Sequence, residues 1–137
     1  MHIKRLKYAI DNTKDLFQLT QDSYKDLDDK NIEHIDQLIY RFTKLQDAMG
    51  LRLFPAILEQ MGEEAVSRSF IDRLNRLEQL GIIRDADEWN IFREIRNQLA
   101  HEYPEEETQN AEALNELYLQ IPKLIDLFNH IEKNVKR

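Results

Sequence analysis

The chain has 137 residues, a length that fits one domain able to bury roughly two thirds of its unfolded surface. With three glycines, three prolines, 42% hydrophobic and 33% charged residues, it holds too few turn-formers for many short strands, so residues 1–137 are expected to form a single all-α domain. A net charge of −7 argues against loose adhesion to nucleic acid, and no apolar run approaches the roughly 20 residues of a membrane span.

In chain order, Ile3, Leu6 and Ile10, followed by Leu16, Phe17 and Leu19, predict a first amphipathic helix that ends near the acidic stretch DSYKDLDDKN. Its basic start has no apolar core region or small-residue cleavage site, so no signal peptide is expected. With the absence of cysteine, this makes a cytoplasmic location the expectation. Asp28 to Asn31 supply the cap of a second helix. Its series Ile35, Leu38, Ile39, Phe42, Leu45, Met49, Leu53, Ile57 and Met61 keeps helical spacing across Gly50 and Pro55, which predicts one long, kinked helix stopping at Gly62. Met49 and Met61 are expected in the core.

Ser69, with Asp72 three residues on, caps a third helix that ends at Gly81. A fourth begins near Asp85, with Asp87 and Glu88 in its first turn, and ends before Pro104. Leu114, Leu117, Ile121, Leu124, Ile125, Phe128, Ile131 and Val135 predict a long last helix kinked at Pro122. Short loops between such helices imply an up-and-down bundle of four to five helices.

Chemistry concentrates in IFREIRNQLAHEYPEE, residues 91–106. On an ideal helix, Trp89, Phe92, Ile95, Leu99 and Ala100 share one arc, and Arg96 falls between Trp89 and Phe92, which puts a cation in an apolar stripe. Asn97 and His101, four apart, share another flank, and Tyr103 returns toward the arginine's side. Taken singly, each has an ordinary structural explanation. Arg96 can pair with one of the 26 acidic residues, His101 can cap a helix C-terminus, and Tyr103 can lid the core.

Together they form RNQLAHEY, which resembles the R-x4-H-x-Y signature of HEPN-domain proteins. More narrowly, the chain resembles the HepT toxins, partners of MNT-type nucleotidyltransferases in type VII toxin–antitoxin systems. The resemblance extends to length, all-helical pattern and a motif placed before one last long helix. It implies a homodimeric, metal-independent endoribonuclease, without cofactor, whose motif helices meet in one groove. Arg96 and His101 are then the catalytic pair, Asn97 supports them, and Tyr103 is the tyrosine adenylylated by the antitoxin. The alternative is a non-catalytic HEPN subunit that binds nucleotide or presents substrate to a nucleotidyltransferase.

Attraction of RNA to so acidic a chain needs local cations. Arg73 and Arg76, flanked by Arg68 and Arg84, are candidate phosphate rims, and Lys4, Arg5 and Lys7 form a second basic cluster. The histidines His2, His34, His101 and His130 lack metal-ligand spacing, and the isolated glycines form no phosphate loop.

Overall fold

A computed structural model describes residues 2–64, 69–100 and 107–134. Among them the chain is all-helical, without strands: α1 (His2–Thr13), α2 (Gln21–Lys25), α3 (Asp29–Ala48), α4 (Phe54–Gln60), α5 (Phe70–Gln79), α6 (Ala86–Ala100) and α7 (Glu107–Asn134).

The expected caps are in place. The Asp28 carboxylate accepts from the Asn31 amide at 2.8 Å, and Ser69 Oγ accepts from the Asp72 amide at 3.2 Å. Gly62 and Gly81 follow helix ends with φ of 80° and 76°, the left-handed geometry that a Cβ opposes. The long second helix also survives Gly50 and Pro55. Between α3 and α4 the backbone passes through a π turn, Met49–Leu53, in which the Phe54 amide donates to the Met49 carbonyl five residues back. This extra residue widens the turn just ahead of Pro55, whose ring would otherwise press on the carbonyl four residues earlier. Gly50 is needed here for a close approach. A Cβ on it would lie 3.1 Å from Trp89 Cζ2.

The first helix is shorter than its apolar series suggests. It stops at Thr13, whose buried hydroxyl donates back to the Ala9 carbonyl at 2.9 Å, and a 3-10 turn, Lys14–Leu16, leads into extended backbone at Phe17. Asp11, Asn12, Thr13 and Asp15 are weak helix formers, so little local energy opposes the break. The stretch from Phe17 to Leu19 is held by α7. Phe17 stacks on Tyr118 at 4.3 Å between centroids, and the Asn115 amide accepts from Leu19 N–H at 2.7 Å while donating to Leu19 C=O at 2.8 Å.

The core joins Leu6, Leu38, Phe42, Leu58, Leu74, Leu77, Leu117 and Leu124 with an aromatic group in which Trp89 meets Phe54 and Phe92 edge-on at 4.9 Å and 6.0 Å. Met49 belongs to it, but Met61 does not. Lying just past the end of α4, Met61 is 46% exposed. His2 and Ile3 share a cavity of about 330 Å³ with Leu45 and Ala48, so α1 runs antiparallel to the helix it packs on, α3. Pro122 lies within α7, as expected, and no described helix is long and apolar enough to cross a membrane.

Candidate functional site

The motif arginine is positioned by α6. The start of that helix is tied down twice, by Asp85 Oδ1 accepting from the Asp87 amide at 2.9 Å and by Glu78 of α5 accepting from the Ala86 amide at 2.7 Å. From there Trp89, Phe92 and Ile95 recur at helical spacing and are all buried. Their burial fixes the rotation of α6, and Arg96, the next residue, is carried to the edge of the stripe rather than into it.

The partner that a shielded guanidinium requires is Asp47, near the C-terminal end of α3. Arg96 Nε lies 3.3 Å from Asp47 Oδ1, and an Nη nitrogen donates to Oδ2 at 3.5 Å. The contact is side-on and loose. Nε is itself sealed from solvent but misaligned for a hydrogen bond, whereas the guanidinium side chain as a whole remains 42% exposed. An arginine has five N–H donors in a flat fork, so Nε and one Nη hydrogen turned to Asp47 leave the other terminal nitrogen uncommitted among the described residues. A pair this exposed adds less than about 1 kcal/mol to stability, and it turns one edge of the fork toward Asp47.

Asn97 is exposed on α6, one residue and about 100° round from Arg96. His101 and Tyr103 lie outside the described residues. The structure therefore gives Arg96 the ordinary ion pair that sequence reasoning allowed it, with Asp47, a partner the sequence did not single out. The available signal was only that a cation beside an apolar stripe needs a carboxylate, and helical spacing cannot choose among so many.

The basic rim divides. Arg76 Nε donates to Glu63 Oε1 at 2.6 Å and Nη1 to Gln79 at 3.1 Å, so its charge is already met. Arg84 lies 3.7 Å from Glu88. Arg73 is half-buried and already engaged, and Arg68 lies outside the described residues. Arg93, one turn before Arg96, rests its guanidinium 4.9 Å over the Phe70 ring. Lys4 and Arg5 line a groove between α1 and α3. Among the described residues no group of three or more His, Cys, Asp or Glu converges as a metal site.

Comparison with protein-family models, curated proteins and solved structures finds no match to this chain.

Proposed function

We propose that the chain is a HEPN-like, metal-independent endoribonuclease that works as a homodimer and is silenced by an MNT-type nucleotidyltransferase through adenylylation of Tyr103. The observation that carries this reading is the placement of Arg96 in RNQLAHEY. It sits in the last turns of α6, half-open to solvent, with its fork held by Asp47 and one terminal nitrogen left over. That nitrogen suits a phosphoryl oxygen.

Cleavage then proceeds within the RNA. The 2′-hydroxyl attacks the adjacent phosphorus, giving its proton to His101, and the phosphorus–5′-oxygen bond breaks as His101 of the partner subunit protonates the leaving oxygen. The products are a 2′,3′-cyclic phosphate and a 5′-hydroxyl. Arg96 meets the charge that develops on the equatorial oxygens, and Asn97 orients the imidazole or the phosphate. One chain brings one such histidine, and two-fold symmetry brings the second. An adenylate on Tyr103 adds negative charge and bulk beside the phosphate site and blocks RNA.

The test is incubation of the purified protein with total RNA in EDTA. Cleavage is expected to persist, and to fall by about 100-fold or more in Arg96→Ala and His101→Ala. Full activity in His101→Ala overturns the assignment. With the nucleotidyltransferase and ATP, the mass is expected to rise by whole adenylate units in the wild type but not in Tyr103→Phe.

The Asp47 contact also favours a second reading, in which a clamped arginine holds the phosphate of a nucleotide for the nucleotidyltransferase without cutting anything. Nucleotide binding that depends on Arg96, in a protein that leaves RNA intact, would select it.

A further inference from the structure

An open groove of about 820 Å³ runs between α1 and α3, remote in sequence from the motif. Its walls differ in charge from end to end. Because α1 is antiparallel to α3, with His2 and Ile3 beside Leu45 and Ala48, Lys4 and Arg5 face the stretch of α3 that carries Arg41, whereas Asn12 faces the stretch that carries Glu33 and Asp36. One end is cationic and the other acidic.

The cationic end is unsatisfied. Among the described residues no carboxylate pairs with Lys4, Arg5 or Arg41, on a chain with 26 acidic residues to draw from. Arg41 and Lys44 instead converge on one ring, that of Tyr40, at 5.0 Å and 5.4 Å from its centroid. Two like charges drawn to a single ring repel one another, and an anion placed beside them relieves that repulsion. Tyr8 stands between the cationic end and Asn12, lines the groove and is 69% exposed, leaving a large aromatic face for a flat partner.

Cations for a backbone beside an aromatic face for a base are the two elements that bind single-stranded nucleic acid. We propose that this groove binds single-stranded RNA, with a backbone phosphate at Lys4, Arg5 and Arg41 and a base stacked on Tyr8. Glu33 and Asp36 repel the next phosphate, so the strand crosses the groove instead of following its length. The choice of RNA rests on the ribonuclease reading, but the anion-and-ring chemistry of the groove does not.

The experiment is fluorescence anisotropy with a labelled 2′-O-methyl oligouridylate, which cannot be cleaved through its 2′ position. One neutralised phosphate gives an expected log–log salt slope of about −0.7, flattened by Arg5→Ala. Tyr8→Ala is expected to weaken binding about tenfold, and Arg5→Glu with Arg41→Glu by more than that. Glu33→Gln is expected to tighten it. Unchanged affinity in the doubly substituted protein, with its helical circular dichroism retained, overturns the proposal. So does polyglutamate competing as well as the oligonucleotide while Tyr8→Ala has no effect, the behaviour of a docking site for acidic peptides. An intact wild-type protein that binds in the groove but leaves natural RNA uncut overturns the ribonuclease reading and leaves the groove standing.

Discussion

Two interruptions of the helical pattern, after Thr13 and after Ala48, have opposite outcomes. At the first there is neither glycine nor proline, yet the helix ends and the chain departs for α7. At the second, Gly50 and Pro55 lie close together, yet α3 continues into α4 through a π turn. The placing of glycine and proline alone predicts the reverse. What differs is the contact each segment can reach. Gly50 admits Trp89 against the backbone, and the continued helix keeps Met49, Phe54 and Leu58 buried. Beyond Thr13 a straight rod would forfeit the stacking of Phe17 on Tyr118 and the paired hydrogen bonds from Leu19 to Asn115. Tertiary packing decides both cases, against weak local terms.

The largest disturbance of this contrast is expected from Trp89→Ala, which empties the centre of the aromatic group and should cost about 3–5 kcal/mol, measured by urea unfolding. Trp89→Phe should be much milder, because the buried indole Nε1 has no hydrogen-bond partner among the described residues and losing it costs little. Next, Gly50→Val should cost about 1–3 kcal/mol through overpacking against the indole. In a double-mutant cycle the cost should shrink when Trp89 is already Phe or Ala. Simple additivity would show that Gly50 matters for its backbone and not for the approach of Trp89.

The N-terminal break is probed by Asn115→Ala, which strips Leu19 of both hydrogen bonds and should cost about 1–2 kcal/mol. Amide exchange should accelerate at Leu19 before anywhere in α3. Uniform acceleration across both segments would erase the distinction drawn between them. The smallest stability effect, under about 1 kcal/mol, is expected for Asp47→Asn, since its pair with Arg96 is about two-fifths exposed. Its value lies in a test of the proposed RNA cleavage. If Asp47 fixes the fork, kcat should fall with little change in KM, whereas an arginine that needs no guide would leave both unaltered.

The sequence made most of the helical order legible because caps and stops are local chemistry. Asp28, Ser69, Gly62 and Gly81 each act within a few residues of themselves. Counted as rods, with α3 and α4 taken as one, the described helices α1, α3–α4, α5, α6 and α7 agree with the four to five expected; α2 is a short addition. The misses are mostly long-range. The end of α1 depends on partners on α7, Met61 is exposed because it lies one residue past its helix, and Arg96 meets an aspartate 49 positions away. The basic residues looked alike as letters, but Arg76 is matched by Glu63, while among the described residues no carboxylate pairs with Lys4 or Arg5. Which charge is spent and which is available becomes visible only once helices are side by side.

The amide of Asn115 grips a backbone 96 residues upstream. Closing so wide a span carries an entropic penalty that only the last helix can offset. During synthesis on a ribosome, the segment around Leu19 emerges 96 residues ahead of the side chain that seats it. Until then Phe17 and Leu19 travel uncovered, and this stretch is where a nascent chain would meet a chaperone.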